Sequence, residues 1–436
     1  MRGGMLPQDD YTALDLLESD KFGSNIGNLI YQFSVVRTLL TDGVEFEVDN
    51  YATGPGRAAQ INEKYDLYIL PLADAFRDDF VTNLTNYAKL IEKLTIPVIV
   101  TGVGLRAPYE YDVRQGFTFD DAVKSFVSAV LKNSAMLGLR GQLTADYLEH
   151  LGFRPDRDFT VIGCPSMYAF GRTLKLRDVT LTPESLVSLN AGVVASPDAM
   201  AFLTQVAQDY PNYYFIPQNY KEMLLNYFGM GELKDGPSGF PKDIGSKFYR
   251  EGRVKFFLNA QSWFDYMQGV SVSVGARLHG NVVATINGTP SLTLASDARM
   301  RELSAYHGLP SVGPDEWQHG ERLADLLERT DFSLVEKLQP ERFDHYIDFL
   351  DANGLQHIYA DDRHRTDAPL DRLMTQVDHA PAISTITAVD EAERVVRATA
   401  GFERFRQREQ RLARRGLQRE NARIKADIRA LGNRWR

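Results

Sequence analysis

The sequence predicts an α/β chain of two doubly wound, Rossmann-like domains facing each other, followed by a helical C-terminal tail. Three observations carry this. Short continuous apolar runs recur, of the kind that forms buried parallel strands, such as PVIVTGV at 97–103. Segments of helical period alternate with them. The alternation is then repeated in the second half of the chain, beyond a polar break at 174–183. At 436 residues the chain is longer than one compact core usually holds.

The first half reads as a helix over 28–40 (NLIYQFSVVRTLL) behind a glycine-containing loop at 23–27, and a strand over 66–71. A strand over 97–103 follows, then a helix over 119–133, a strand over 136–140, a helix over 142–151 and a strand over 160–163 closed by Cys164 and Pro165. Strands and helices at this spacing imply a parallel sheet. In the second half strands fall at 185–191, 213–217, 254–258, 270–274 and 291–294. Helices fall at 199–209, 262–268 and 299–307. These patterns place an N-terminal domain at 1–175, a second domain at 184–358, and a linker with a basic helical tail at 359–436, the helix starting near 389. The stretch 229–252 is rich in Gly, Pro and Lys and reads as a long loop, a candidate lid or binding loop.

Hydrophobic residues make up 44% and charged residues 25%, an ordinary globular balance. The net charge of −9 argues against broad nucleic-acid binding. It conceals a basic tail: 401–436 holds 12 Lys/Arg against 4 Asp/Glu, a local +8 that leaves −17 elsewhere. Phe402, Phe405, Leu412, Ile424, Ile428, Leu431 and Trp435 are spaced loosely along this tail. It reads as a solvated helix packed on its own domain or on a second copy, with an anionic membrane surface as the sharper alternative. Gly416 weakens a coiled-coil reading. The single cysteine, Cys164, excludes an intramolecular disulfide and a cysteine-based zinc site, and fits a reducing, cytoplasmic setting. The acidic first 20 residues lack the apolar core of a secretory signal, and no run approaches the roughly 18 apolar residues of a membrane span.

The richest segment for chemistry is VGARLHGNVVATINGTP at 274–290. A strand ends, a turn carries Arg277, Leu278 and His279, and a helix begins near Gly280 and Asn281. Strand carboxyl ends in open α/β sheets are where ligands bind, and helix N-termini there favour anions. Arg277 offers a two-pronged grip on phosphate or carboxylate, and His279 titrates near neutrality. An arbitrary Arg-x-His is more often a histidine capping or packing beneath a turn; the strand-turn-helix frame favours the functional reading. Arg140, in LGLRGQLT at 137–144, repeats that placement on the opposing domain, weighed against a buried structural arginine. Arg106, in TGVGLRAP at 101–108, is a third candidate cation, with Gly104 offering a backbone N–H. Cys164 reads as a buried inert thiol, and His307 and His319 as structural or exposed. No metal-ligand spacing and no Walker-type loop are present.

Taken together, LGLRGQLTADYLEHLG, VIGCPSMY, VSVGARLHGNVVATINGTP and LTLASDARMRELSAYHGLP resemble the polysaccharide pyruvyl transferase family in order and spacing, over about 21–310. The resemblance implies a GT-B-like fold and transfer of the enolpyruvyl unit of phosphoenolpyruvate onto two hydroxyls of a sugar. The product is a ketal on a cell-surface polysaccharide. By motif, Arg277, Leu278 and His279 fall in the active site and Arg140 is the partner arginine. Gly280, Asn281, Arg106, Gly104 and Asn25 are expected around the substrates. No cofactor or metal is expected beyond phosphoenolpyruvate as donor. The acceptor would be a glycan or lipid-linked saccharide, reached from the inner face of the membrane. Many relatives carry N-x-G-D where this chain has Asn25-Ile26-Gly27-Asn28, so an amide replaces the acid. The rival readings are a nucleotide-sugar glycosyltransferase of the same architecture and an inert glycan-binding or assembly protein.

Overall fold

The computed structural model describes residues 1–230, 233, 236–316 and 320–434, with side chains as far as 418. His319, Trp435 and the side chains of Ile424, Ile428 and Leu431 lie outside the described residues.

Two parallel sheets form two facing α/β units. In the first, β1 (Tyr68–Pro71) pairs with β2 (Val98–Thr101) and β3 (Leu137–Leu139) pairs with β4 (Phe159–Val161). A bridge between Val103 and Leu139 joins the two ladders. β1, β2 and β3 are buried along their whole length, which is why they read as unbroken apolar runs rather than alternating ones.

The second unit contains β5 (Val187–Asn190), β6 (Tyr213–Phe215), a two-residue β7 (Lys255–Phe256), β8 (Val272–Gly275), β9 (Ser291–Leu294) and β10 (Ser311–Val312). Its sheet runs β10-β9-β8-β5-β6, all parallel. The chain leaves β5 toward β6 on one side and resumes at β8 on the other. The gap between the carboxyl ends of β5 and β8 is therefore a topological switch point, where open sheets hold ligands. The expected strand at 254–258 is reduced to β7, which pairs antiparallel with β11 (Ile383–Ser384) and is bridged to the main sheet at Val254 and Phe215.

Helix Gly27–Leu39 is buried on nearly every face and lies between the units, packing on helices Ala260–Gln268 and Leu278–Ile286. Helix Ser333–Ala352, grouped by the sequence with the second unit, has partners in the first. Arg172 pairs with Asp344, Thr160 meets His345 at 2.9 Å, and Gln339 donates to the Met167 and Gly171 carbonyls. A little further on, Asp371 receives a two-pronged hydrogen bond from the buried Arg37, 2.8 Å on each side.

The stretch 229–252, a candidate lid in the sequence, contributes no described residue to the cleft lining. Its described residues pack on the outer side of the second unit: Phe240 lies 6.3 Å from Phe215, and Phe248 stacks on Phe215 at 5.1 Å. Those aromatics outweigh the polar composition, and none of these residues lines the cleft. The tail forms helix Glu391–Arg434 and passes Gly416 without a break. Phe405 packs against Phe228, and Arg404 and Arg411 each reach Glu18 at 2.6 Å. No described helix is long and apolar enough to cross a membrane.

Candidate functional site

A cleft of about 330 Å³ opens between the two units at the switch point. The wall is stitched by backbone bonds between them: Ile26 N–H donates to Gln218 O at 2.9 Å, Tyr220 N–H to Ser24 O at 3.1 Å, and Ala298 N–H to Ala107 O at 3.2 Å. Helices Gly27–Leu39, Gln142–His150, Leu278–Ile286 and Ala298–His307 all begin at this cleft, adding a favourable field for anions.

Six arginines line it: Arg2, Arg77, Arg106, Arg140, Arg277 and Arg299. Asp74 is the acidic residue among the lining side chains, and it serves three of them. Arg77 meets its Oδ1 at 2.9 Å, Arg106 Nε its Oδ2 at 2.9 Å, and Arg299 its Oδ2 at 3.3 Å. Burial opposes ionisation of Asp74, yet Arg299, Arg77 and Arg106 outweigh it and hold the carboxyl well below the usual carboxylate range.

Arg140 follows β3 and is 1% exposed, and its Nε and Nη2 have no hydrogen-bond partner in the protein. A buried guanidinium left unsatisfied is costly unless something else completes it. Arg299 Nε is orphaned in the same way. Arg277, the residue before helix Leu278–Ile286, is placed by Asn190, whose side-chain oxygen accepts its backbone N–H at 2.8 Å. Its guanidinium lies 3.6 Å from the buried Glu222, which in turn accepts the N–H groups of Gln218 and Asn219. Burial pushes the Glu222 carboxyl up, against the pull of Arg277.

His279 sits in the first turn of the same helix, partly exposed to the cleft. Its ring lies so close to Gly27 that a Cβ there would come within 2.8 Å of it, so only glycine lets helix Gly27–Leu39 start at this point. Burial first, then Arg140, Arg299 and Arg277, push the imidazole pKa down to about 3. His279 is therefore neutral in the empty cleft and available as a base. Its Nε2 is 4.0 Å from Cys164 Sγ, and that thiol is fully buried, as the sequence suggests. His307 is buried too, accepting the Cys164 N–H at 2.9 Å.

Of the residues singled out in the sequence, His279, Arg277, Arg140, Arg106, Leu278 and Asn25 line the cleft, Leu278 also being part of the core. Gly280, Asn281 and Gly104 stand behind the wall. Asn281 is consumed by the sheet, donating to Gly275 O at 2.9 Å and accepting from Asn190 and Ser273. Gly280 packs on Asn190, where a Cβ would fall 2.7 Å away. The Gly104 N–H is spent on Ala73 O at 2.7 Å. The sequence reading passed over Arg299, Asp74, Arg77 and Arg2. Arg299 carried a usable signal, since it follows a strand and opens a helix capped by Asp297, as Arg277 does. Among the described residues no group of three or more His, Cys, Asp or Glu is placed to hold a metal ion.

A family model described as polysaccharide pyruvyl transferase matches residues 25–298, more than half of the chain and the whole of this site except Arg2, Gly23, Ser24, Arg299 and Met300. The chain belongs to the polysaccharide pyruvyl transferase family. It is thereby a member of a transferase family. No curated protein matches it. Solved structures with a similar arrangement include a UDP-N-acetylglucosamine 2-epimerase of Listeria monocytogenes described as putative (TM-score 0.42, 11% identity, covering 70% of this chain and 78% of that one). A Neisseria meningitidis UDP-GlcNAc 2-epimerase bound to UDP-GlcNAc follows (0.40, 14%, 68% and 79%). An Anabaena protein solved with UDP and glucose is a third (0.36, 12%, 74% and 79%).

Proposed function

We propose that this pyruvyl transferase family member moves the pyruvyl unit of phosphoenolpyruvate onto two hydroxyls of a glycan sugar, forming a ketal and releasing phosphate. The observation that carries the reading is the excess of guanidinium groups facing a partly desolvated cleft: six arginines line it with one lining carboxylate, Asp74, while Asp79, Glu222 and Asp297 pair with some of them from outside the lining, and Arg140 Nε and Nη2 are left without hydrogen-bond partners. A small donor bearing both a phosphate and a carboxylate supplies the missing countercharge.

The residues suit the steps. Arg140, Arg277 and Arg299 hold the two anionic groups and place the enol carbon beside His279. The neutral imidazole takes the proton of a sugar hydroxyl as its oxygen bonds to C2 of the donor, while C3 gains a proton and becomes the methyl group. Loss of phosphate with the C2–O electron pair leaves an oxocarbenium centre, which the second hydroxyl captures, its proton passing to the site and on to phosphate. One hydroxyl proton thus ends on carbon and the other on the leaving group, with no redox change. The guanidinium groups offset charge on the departing phosphate, and the closed cleft keeps water from the oxocarbenium. A nucleotide-sugar glycosyltransferase would want a free carboxylate for the ribose, whereas Asp74 and Glu222 are both engaged by arginines.

The test is phosphate release from phosphoenolpyruvate across galactose-, glucose- and mannose-terminated acceptors, followed by mass analysis of the glycan. Phosphate release coupled to a pyruvate adduct on one acceptor is the expected result. Turnover of UDP- or GDP-sugars in its place would overturn the reading.

A further inference from the structure

A second cavity of about 330 Å³ shares a wall with the arginine cleft. Arg2, Gly23, Ser24 and Phe80 line both. The far side is built from the turn at 49–53 and one face of helix Val81–Ile91, where Asn83 and Tyr87 lie one turn apart.

Its chemistry is the opposite of the cleft's. The two charged side chains present are used up within the protein. Arg2 donates to Tyr87 Oη at 3.1 Å and to Pro71 O at 3.4 Å, and lies 4.8 Å over the Tyr51 ring. Asp20 accepts from the N–H groups of Phe22 and Ser24, 2.9 Å each, and from the Ser24 hydroxyl. The remaining lining residues are neutral: Asn50, whose Oδ1 accepts from Lys21 at 2.9 Å, and Asn83, the hydroxyl-bearing Ser24 and Thr53, and the aromatic Phe80, Tyr51 and Tyr87.

The backbone around this cavity is held in an unusual state. Four non-glycine residues among those described have positive φ, and three of them line it: Ser24 (72°), Asn50 (53°) and Tyr51 (58°). The fourth, Asp156, is in the turn before β4. Such conformations are unfavourable for residues with a Cβ and persist where surrounding contacts enforce them. The contacts here are explicit. Asp49, itself buried, accepts the N–H groups of Gly3 and Tyr51, and the Tyr51 hydroxyl accepts from Gln32 at 3.0 Å. The turn is thereby fixed with Asn50 and Thr53 on the cavity side.

We infer that this neutral cavity seats the terminal sugar of an uncharged glycan acceptor, so that its diol reaches the arginine cleft past Arg2 and Ser24. The inference rests on the donor reading above, because it is the shared wall that makes the cavity an acceptor subsite. Amides and hydroxyls match the ring hydroxyls of a neutral sugar, and aromatic rings match its C–H faces. Arg2 is the one cation lining this cavity, and its hydrogen bonds go to Tyr87 and Pro71.

The experiment titrates p-nitrophenyl β-galactoside, β-glucoside and α-mannoside into the full chain, and phosphoenolpyruvate separately. Wild type is compared with Asn83→Ala and Thr53→Val, two mild truncations, and with Asn83→Trp, which fills the space. The glycoside that binds wild type best should lose tenfold or more in affinity in the variants, while affinity for phosphoenolpyruvate stays within twofold. Unchanged glycoside affinity in all three variants overturns the assignment, and so does a wild type that binds none of the glycosides. Phosphoenolpyruvate failing to bind wild type, with the glycoside losses intact, would count against the donor chemistry alone and leave the sugar site standing.

Discussion

The interdomain cleft and the C-terminal helix both concentrate arginines, but it is the cleft that holds one of them, Arg140, fully out of water. Along the helix, Arg404 and Arg411 share Glu18 with their side chains 41% and 45% exposed, and Arg408 rests on the Tyr220 ring. Exposed pairs of this kind contribute about 0–1 kcal/mol. In the cleft, Arg140 is sealed in without a full set of partners, and Asp74 is divided among three guanidinium groups. A basic segment in a sequence is thus a poor guide to an anion site. What matters is whether the fold strips water from the charge and leaves it incompletely paired.

That contrast can be broken or sharpened by experiment. The largest effect is expected for His279→Ala, which should lower the turnover number about 10²–10⁴-fold while phosphoenolpyruvate still binds. Phosphate release at the wild-type rate would remove the imidazole from the chemistry. Arg140→Met should lower kcat/KM roughly 10²–10³-fold. It should also raise Tm, gaining on the order of 1 kcal/mol because a buried cation with two unsatisfied nitrogens is gone; a drop in Tm would mean that Arg140 is structural. Phosphoenolpyruvate at a hundred times its Kd should stabilise wild type by about 2.7 kcal/mol, and Arg140→Met far less.

Two histidines held below their ordinary pKa, His307 and His279, predict a pH dependence of stability. Burial is the main cause that lowers the His307 pKa to about 3, below its unfolded value, so the folded state refuses a proton that the unfolded state accepts. Stability should accordingly fall as pH drops from about 6.5 toward 3, with His279 contributing in the same direction. His307→Asn should flatten the slope of Tm against pH in that window. An unaltered slope would assign the effect elsewhere. The smallest change belongs to the tail: Arg404→Ala and Arg411→Ala should each cost less than about 1 kcal/mol in denaturant unfolding and leave turnover unchanged.

The buried strands announced themselves because a strand covered on both faces has no polar alternation to blur it, as in β2. Arg277, His279 and Arg140 were visible for a related reason, since each sits where a strand hands over to a helix. The same local grammar misled at Asn281 and Gly280, which occupy that junction to tie β5 and β8 together rather than to meet a ligand. Asp74 escaped notice because its importance comes from partners far away in the chain, Arg299 lying 225 residues beyond it. Composition misplaced 229–252 because a few aromatics, Phe240, Phe248 and Tyr249, anchor an otherwise polar segment. The neutral cavity beside the cleft left no sequence signal, being assembled from a turn and a helix face that meet only in the fold.

The central claim is that the cleft waits for a small polyanion whose charge restores His279 to a normal affinity for protons. Calorimetric titration of phosphoenolpyruvate near pH 6, in two buffers of different ionisation enthalpy, measures this directly. Wild type should bind one equivalent and take up more protons per donor than His279→Asn, with Arg140→Met binding at least tenfold more weakly. Equal proton uptake in wild type and His279→Asn, or undiminished binding by Arg140→Met, would contradict the account.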